Sequence, residues 1–142
     1  MSTYYGKGSK EEIFSDLYSV INNVTGIQYV DYQRDDPGVK KDNYPGVFIN
    51  DIETSKTYLL QDIVKNELII AVVCFVWAEE DEDLITVLNT FAESVKDAIM
   101  ADPTRGNKAY NTRLDDVITD AGSNWPQAVL AMRVIVTYFS SE

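Results

Sequence analysis

Eleven consecutive apolar residues, Leu68 to Ala78 (Leu-Ile-Ile-Ala-Val-Val-Cys-Phe-Val-Trp-Ala), constrain the fold more than any other feature of the chain. The run is too short for the ~20 residues that a membrane-spanning helix needs. Its β-branched and aromatic content instead predicts a strand buried on both faces. In a chain of 142 residues, one layer of helices can cover one face of such a strand. The other face then calls for a second layer or a neighbouring subunit. Five acids, Glu79 to Asp83, follow at once and lead into an amphipathic helix.

Either side of this run the periodicity alternates between helix and strand. Residues 1–8 are small and polar and read as a mobile arm. Ser9-Lys10-Glu11-Glu12 matches a capping box, in which a serine and a glutamate three residues on satisfy the first free amides of a helix. Ile13, Leu17, Val20, Ile21 and Val24 continue it at helical spacing, widened by Phe14 and Tyr18. Residues 27–33 read as a short strand, 34–43 as a charged loop with an Asp-Asp-Pro-Gly turn, and 46–52 as a strand entered through Pro45. Thr57 to Leu60 pairs as a hairpin with the stretch from Val64 into the apolar run. Leu84, Val87, Leu88, Phe91, Val95, Ala98 and Ile99 form the stripe of a second helix, stopped by Pro103 and Gly106. Residues 109–118 alternate weakly. Residues 127–139 form a long strand with Leu130, Met132, Val134, Val136 and Tyr138 on one face. The order α-β-β-β-α-β-β predicts an α+β fold, two amphipathic helices on one face of an antiparallel or mixed sheet, in a single domain spanning 1–142.

The composition narrows the chemistry. Twelve Lys and Arg against 23 Asp and Glu give a net charge of −11, which opposes specific binding of nucleic acid because phosphate contacts need clustered cations. The absence of histidine removes the commonest general base, metal ligand and nucleophile partner. Cys74, the single cysteine, sits inside the apolar run and reads as a buried, inert thiol. No apolar signal-peptide core precedes the first helix, so a soluble protein folded in a cytoplasm, with no membrane contact, is expected.

Each candidate for catalysis has a simpler explanation. Glu79 to Asp83 offer carboxylates to a cation, but acids in a first helical turn also complement the helix dipole. Asp115-Asp116 and Asp35-Asp36 are paired carboxylates, and such pairs act as acid and base only where their environments separate their pKa values. A small metal-dependent or carboxylate-based enzyme using Asp115, Asp116 or the acidic run remains a minority reading. The expectation is no catalytic residue, no metal and no cofactor. Nine tyrosines and two tryptophans point instead to contact surfaces, since Tyr and Trp bury much area while keeping a polar end. Tyr58-Leu59-Leu60 and Trp125 are the candidates for an interface. Tyr29 and Tyr138 are expected in the core. Arg133, on a mostly apolar strand, needs an acidic partner if buried and is otherwise an exposed edge arginine. A monomeric adaptor that binds protein through its aromatic surface is a further alternative.

Several segments in order carry a resemblance. They are the capped helix from Ser9 to Val24 running into Gly-Ile-Gln-Tyr-Val, then Asn43-Tyr44-Pro45-Gly46-Val47-Phe48-Ile49. The apolar strand ending Phe75-Val76-Trp77 follows, then the long helix with Ala101-Asp102-Pro103-Thr104-Arg105-Gly106-Asn107-Lys108-Ala109, and the closing strand ending Val-Thr-Tyr. Over residues 9–139 the chain resembles the tail terminator, or tail completion, proteins of long-tailed bacteriophages. The resemblance implies a structural virion protein, assembled in the host cytoplasm. It would form a ring, typically of six copies, at the head-proximal end of the tail tube, stopping tube growth and giving the head connector a docking surface. Its partners would be further copies of itself, the tail tube protein and the head connector protein, with DNA passing through without sequence-specific binding. A head-closure or other neck component of the head–tail connector is the alternative. The family has no catalytic residue to carry over. Interface expectations fall on Arg34, Asp35 and Asp36 in the loop 34–43, on Tyr58, Leu59 and Leu60 within 53–62, and on Arg105, Trp125 and Arg133.

Overall fold

A computed structural model describes residues 9–32, 44–60, 62–77, 83–119 and 126–141. The element order is α1 (Lys10–Asn22), β1 (Tyr29–Tyr32), β2 (Gly46–Tyr58), β3 (Ile63–Trp77), α2 (Leu84–Met100), β4 (Asn111–Thr119) and β5 (Gln127–Ser141). The strands form one sheet in the order β1-β2-β3-β5-β4. β1 runs parallel to β2, and the other pairs are antiparallel. The fold is therefore α+β with a mixed sheet.

Local chemistry explains both helix starts. At α1, Glu12 N–H donates to Ser9 Oγ at 3.2 Å while Ser9 N–H donates to Glu12 Oε1 at 3.1 Å, the capping box that the sequence predicts. At α2, Asp83 Oδ1 accepts from Ile85 N–H at 3.1 Å and from Thr86 N–H at 3.4 Å. The last acid of the run thus serves as an N-cap. The rest of the run lies outside the described residues.

The main core lies between the helices and one sheet face. Ile13, Leu17 and Ile21 from α1 and Leu88, Val95 and Ile99 from α2 meet Leu68, Ile70, Val72 and Cys74 of β3 and Met132, Val134 and Val136 of β5. Cys74 is fully buried, and burial pushes its thiol up to about 12, so it stays protonated and inert at neutral pH.

The opposite face of β3 is covered by the chain's own aromatic residues at one end. Val73 and Phe75 pack with Tyr44 and Phe48, flanked by Tyr29, Trp77, Val129 and Ala131. Ring centroids lie 4.7 Å apart for Phe48–Phe75 and 4.9 Å for Tyr44–Phe75. The doubly buried part of β3 is Val72 to Val76, and neither a second helix layer nor a partner is needed to cover it. Gly46 makes the close packing possible. A Cβ there would stand 2.6 Å from Phe75 Cε2 and 2.9 Å from the Tyr29 carbonyl oxygen. The peptide bond between Tyr44 and Pro45 is cis.

Two expectations about strands need correction. The strand read as 46–52 and the start of the arm read as 57–60 belong to one 13-residue strand, β2 (Gly46–Tyr58), whose outer half is largely exposed and so carries no hydrophobic alternation. Its ladder slips by one residue at Ile52, between Asp51 and Glu53. β1 is also shorter than the expected 27–33, with four residues, all paired to Gly46–Ile49.

Candidate assembly surface

The turn between β2 and β3 collects the most exposed apolar group among the described residues. Tyr58 is 63%, Leu59 50% and Leu60 82% exposed. Two backbone bonds hold the turn, from Leu59 N–H to Ile63 O at 2.9 Å and from Ile63 N–H to Leu60 O at 3.0 Å, and Asp62 takes a positive φ of 64°. Single exposed apolar residues are ordinary, whereas three in a row on one turn make a candidate contact site.

Among the described residues the sheet has two margins with no further strand beside them. Four residues of β2 pair with β1, and the nine from Asn50 to Tyr58 continue past it with no strand on that side among the described residues. β4 closes the other end of the sheet and leaves Val117 and Ile118 exposed. Its ladder slips at Asp115, between Leu114 and Asp116. Asp115 and Asp116 are both exposed there and belong to no cluster of metal-ligating type, since no group of three or more Cys, Asp or Glu among the described residues is placed to hold an ion.

Arg133 lies on β5, an interior strand, rather than on a sheet edge. Its half-exposed side chain points from the helix-free face, pairs in register with Asp116 and lies 4.0 Å from Asp115 Oδ2. Ile52, Ala71, Ile118 and Ala131 surround a small hollow of about 110 Å³ beside it. Of the expected core tyrosines, Tyr138 is buried and Tyr29 half-buried.

Arg105 is not a surface residue. It is fully buried, and its Nη2 donates to the carbonyl oxygens of Ile99 and Asp102 while Nη1 stands 3.2 Å from Asp16 Oδ2 on α1. The guanidinium therefore seals the carboxyl end of α2, where free carbonyls favour a cation, and ties that end to α1. The surrounding turn is self-contained. Asp102 Oδ1 accepts from Thr104 N–H at 3.0 Å and from Thr104 Oγ1 at 2.6 Å, and Asp102 Oδ2 accepts from Gly106 N–H at 2.8 Å. Arg105, Gly106 and Asn107 all have positive φ. The Thr104 hydroxyl and the Gly106 and Thr104 amides hold the Asp102 carboxyl below its ordinary pKa. Burial raises that of Asp16 despite the neighbouring arginine. The Asp-Pro-Thr-Arg-Gly sequence thus has a structural reason, and the signal for it was an arginine just past a helix end.

Arg34, Asp35, Asp36 and Trp125 lie outside the described residues. No helix among the described residues is long and apolar enough to cross a membrane.

No protein-family model and no curated protein matches the sequence. The fold is similar to that of a solved chain described as "Virion of native gene transfer agent (GTA) particle", with a TM-score of 0.51 at 9% identity. The match covers 96% of this chain and 98% of that one. Agreement over nearly the full length of both chains establishes the shared fold.

Proposed function

We propose that this chain is a structural virion protein, a tail terminator. It forms a ring at the head-proximal end of a tail tube, arrests tube growth and gives the head connector a surface to dock on. The observation that carries the reading is the likeness, over 96% of this chain and 98% of the other, to a chain of a gene transfer agent virion. The order of sequence segments that resembles the terminators agrees with it. The fixed apolar turn at Tyr58–Leu60 supplies a contact surface without chemistry. The role is assembly rather than catalysis, exercised in the virion at the head–tail junction.

Electron microscopy of the protein across a concentration series, alone and with the cognate tail tube protein, tests this. Closed rings, or caps that narrow the distribution of tube lengths, are the expected result. A tube protein that polymerises to unchanged lengths, with no cap and no ring, overturns the terminator role. Binding to the head connector but not to tubes would move the protein to the connector side of the junction.

A further inference from the structure

We propose that the free stretch of β2 in one copy pairs antiparallel with β4 of the next, continuing one sheet from subunit to subunit. The inference rests on the ring reading above and specifies its subunit contact.

Among the described residues, both partners of the contact are sheet margins with no further strand beside them. An unpaired edge presents a row of N–H and C=O groups that another strand can satisfy. The stretch of β2 beyond β1 and the whole of β4 are each nine residues long. Their directions also agree. β2 opposes β3, β3 opposes β5, and β5 opposes β4, so β2 and β4 of one subunit run in opposite senses. Rotation about an axis close to the strand direction preserves those senses. The β2 of a rotated neighbour therefore meets β4 in the antiparallel sense that the ladder favours. Because the two margins differ, the contact is head-to-tail, the kind that closes rings when the rotation closes.

The two faces limit the register to steps of two. On the helix-free face, β4 presents Asp116 and Ile118, which align with Arg133 and Ala131. Ser55 of β2, aligned with Glu67, faces the same way. Placing Ser55 opposite Asp116 sets Thr54 opposite Val117, so that each sheet face continues into the next subunit. An edge shaped only to repel other strands carries charge without exposed aliphatic residues. Here Ile52, Val117 and Ile118 are all exposed.

Cysteine crosslinking tests the contact. Ser55→Cys and Asp116→Cys change exposed positions, and the fully buried Cys74 does not compete. Opposed residues of an antiparallel pair have Cα atoms about 4.5–5.5 Å apart, within disulfide reach. Each variant is oxidised alone and in a 1:1 mixture, with Ile118→Cys replacing Asp116→Cys to sample a register two residues away. The expected result is a disulfide-linked dimer in a mixture and none in any single variant. The double variant should give a ladder ending at the ring size. Dimers within a single variant would mean like-to-like pairing and overturn the proposal. Wild-type rings or caps with no crosslink in any mixture would overturn the strand contact and leave the ring reading standing. Wild-type protein that neither closes rings nor caps tubes would overturn both.

Discussion

Adding a single methyl group at Gly46 tests the packing that covers the second sheet face. Gly46→Ala places a Cβ 2.6 Å from Phe75 Cε2 and 2.9 Å from the Tyr29 carbonyl oxygen. The oxygen cannot retreat without disturbing the parallel pairing of Tyr29 with Gly46. Phe75 is fully buried and wedged by the rings of Phe48 and Tyr44. Overpacking of this kind costs about 1–3 kcal/mol, and two immobile neighbours place this site near the upper end. Loss of glycine's freedom in the unfolded chain returns about 0.4–1 kcal/mol. The net loss is then about 2 kcal/mol, a fall in Tm of roughly 4–8 °C for a domain of this size.

Urea titration followed by circular dichroism measures this loss, and a double-mutant cycle locates its source. If the Phe75 ring is the main obstacle, Gly46→Ala costs about 1 kcal/mol less in a Phe75→Leu background, a coupling typical of touching residues. The Tyr29 oxygen keeps the remainder. Equal costs in both backgrounds, or a neutral Gly46→Ala, would refute the account of how Phe75 is seated.

Three further outcomes follow from the same geometry. Arg105→Met should destabilise by about 3 kcal/mol in urea, because the Ile99 and Asp102 carbonyls lose their donor and Asp16 its counter-charge. In acid, Asp102 and Asp16 act with opposite sign. The depressed Asp102 contributes stability that is present above its unfolded value near 3.8 and is lost as pH falls through the folded value. The raised Asp16 gains from protonation, but its carboxylate is also the counter-charge of the fully buried Arg105, so at pH 7 both Asp16→Asn and Asp102→Asn should lower the urea midpoint. At the turn, Tyr58→Ser with Leu60→Ser should leave the thermal melt within about 0.5 kcal/mol of wild type, as exposed changes do, while abolishing caps on tail tubes under the electron microscope.

Much of the fold was legible because burial leaves a period in the sequence. The stripe from Leu84 to Ile99 and the alternation from Leu130 to Tyr138 both face the main core as expected. What failed to register were elements whose environment is tertiary. The middle of β2, Glu53 to Lys56, was missed as the link between two short strands because it is little covered, and strand pattern reports burial rather than extension. Four residues of β1 are too few to reveal a parallel partner. Tyr44, one of the tyrosines read as surplus to the core, joins Trp77 in finishing the cover over Phe75. Arg105 read as exposed because it is charged and follows a proline turn. Its burial depends on α1 closing over the end of α2, which no local window contains. For the assembly surface, the exposed trio at Tyr58–Leu60 was readable because apolar residues next to a turn are out of place. The two sheet margins were not, since an edge is defined by the strand that is missing beside it.

The charges divide along the same line. Ser9 with Glu12, Asp83 and Asp102 satisfy backbone amides at helix ends and turns, and Arg105 closes a helix terminus. Each of these groups is committed inside the subunit: losing an exposed cap costs about 0.5–2 kcal/mol, and losing the buried Arg105 leaves buried carbonyls unsatisfied at about 1–3 kcal/mol. Lys56, Asp115 and Asp116 stand instead at open margins of the sheet. Exposed pairs of that sort contribute about 0–1 kcal/mol within one molecule, so stability gives little reason for their placement. Two unlike strand margins with no further strand beside them among the described residues are what the proposed contact between copies would use.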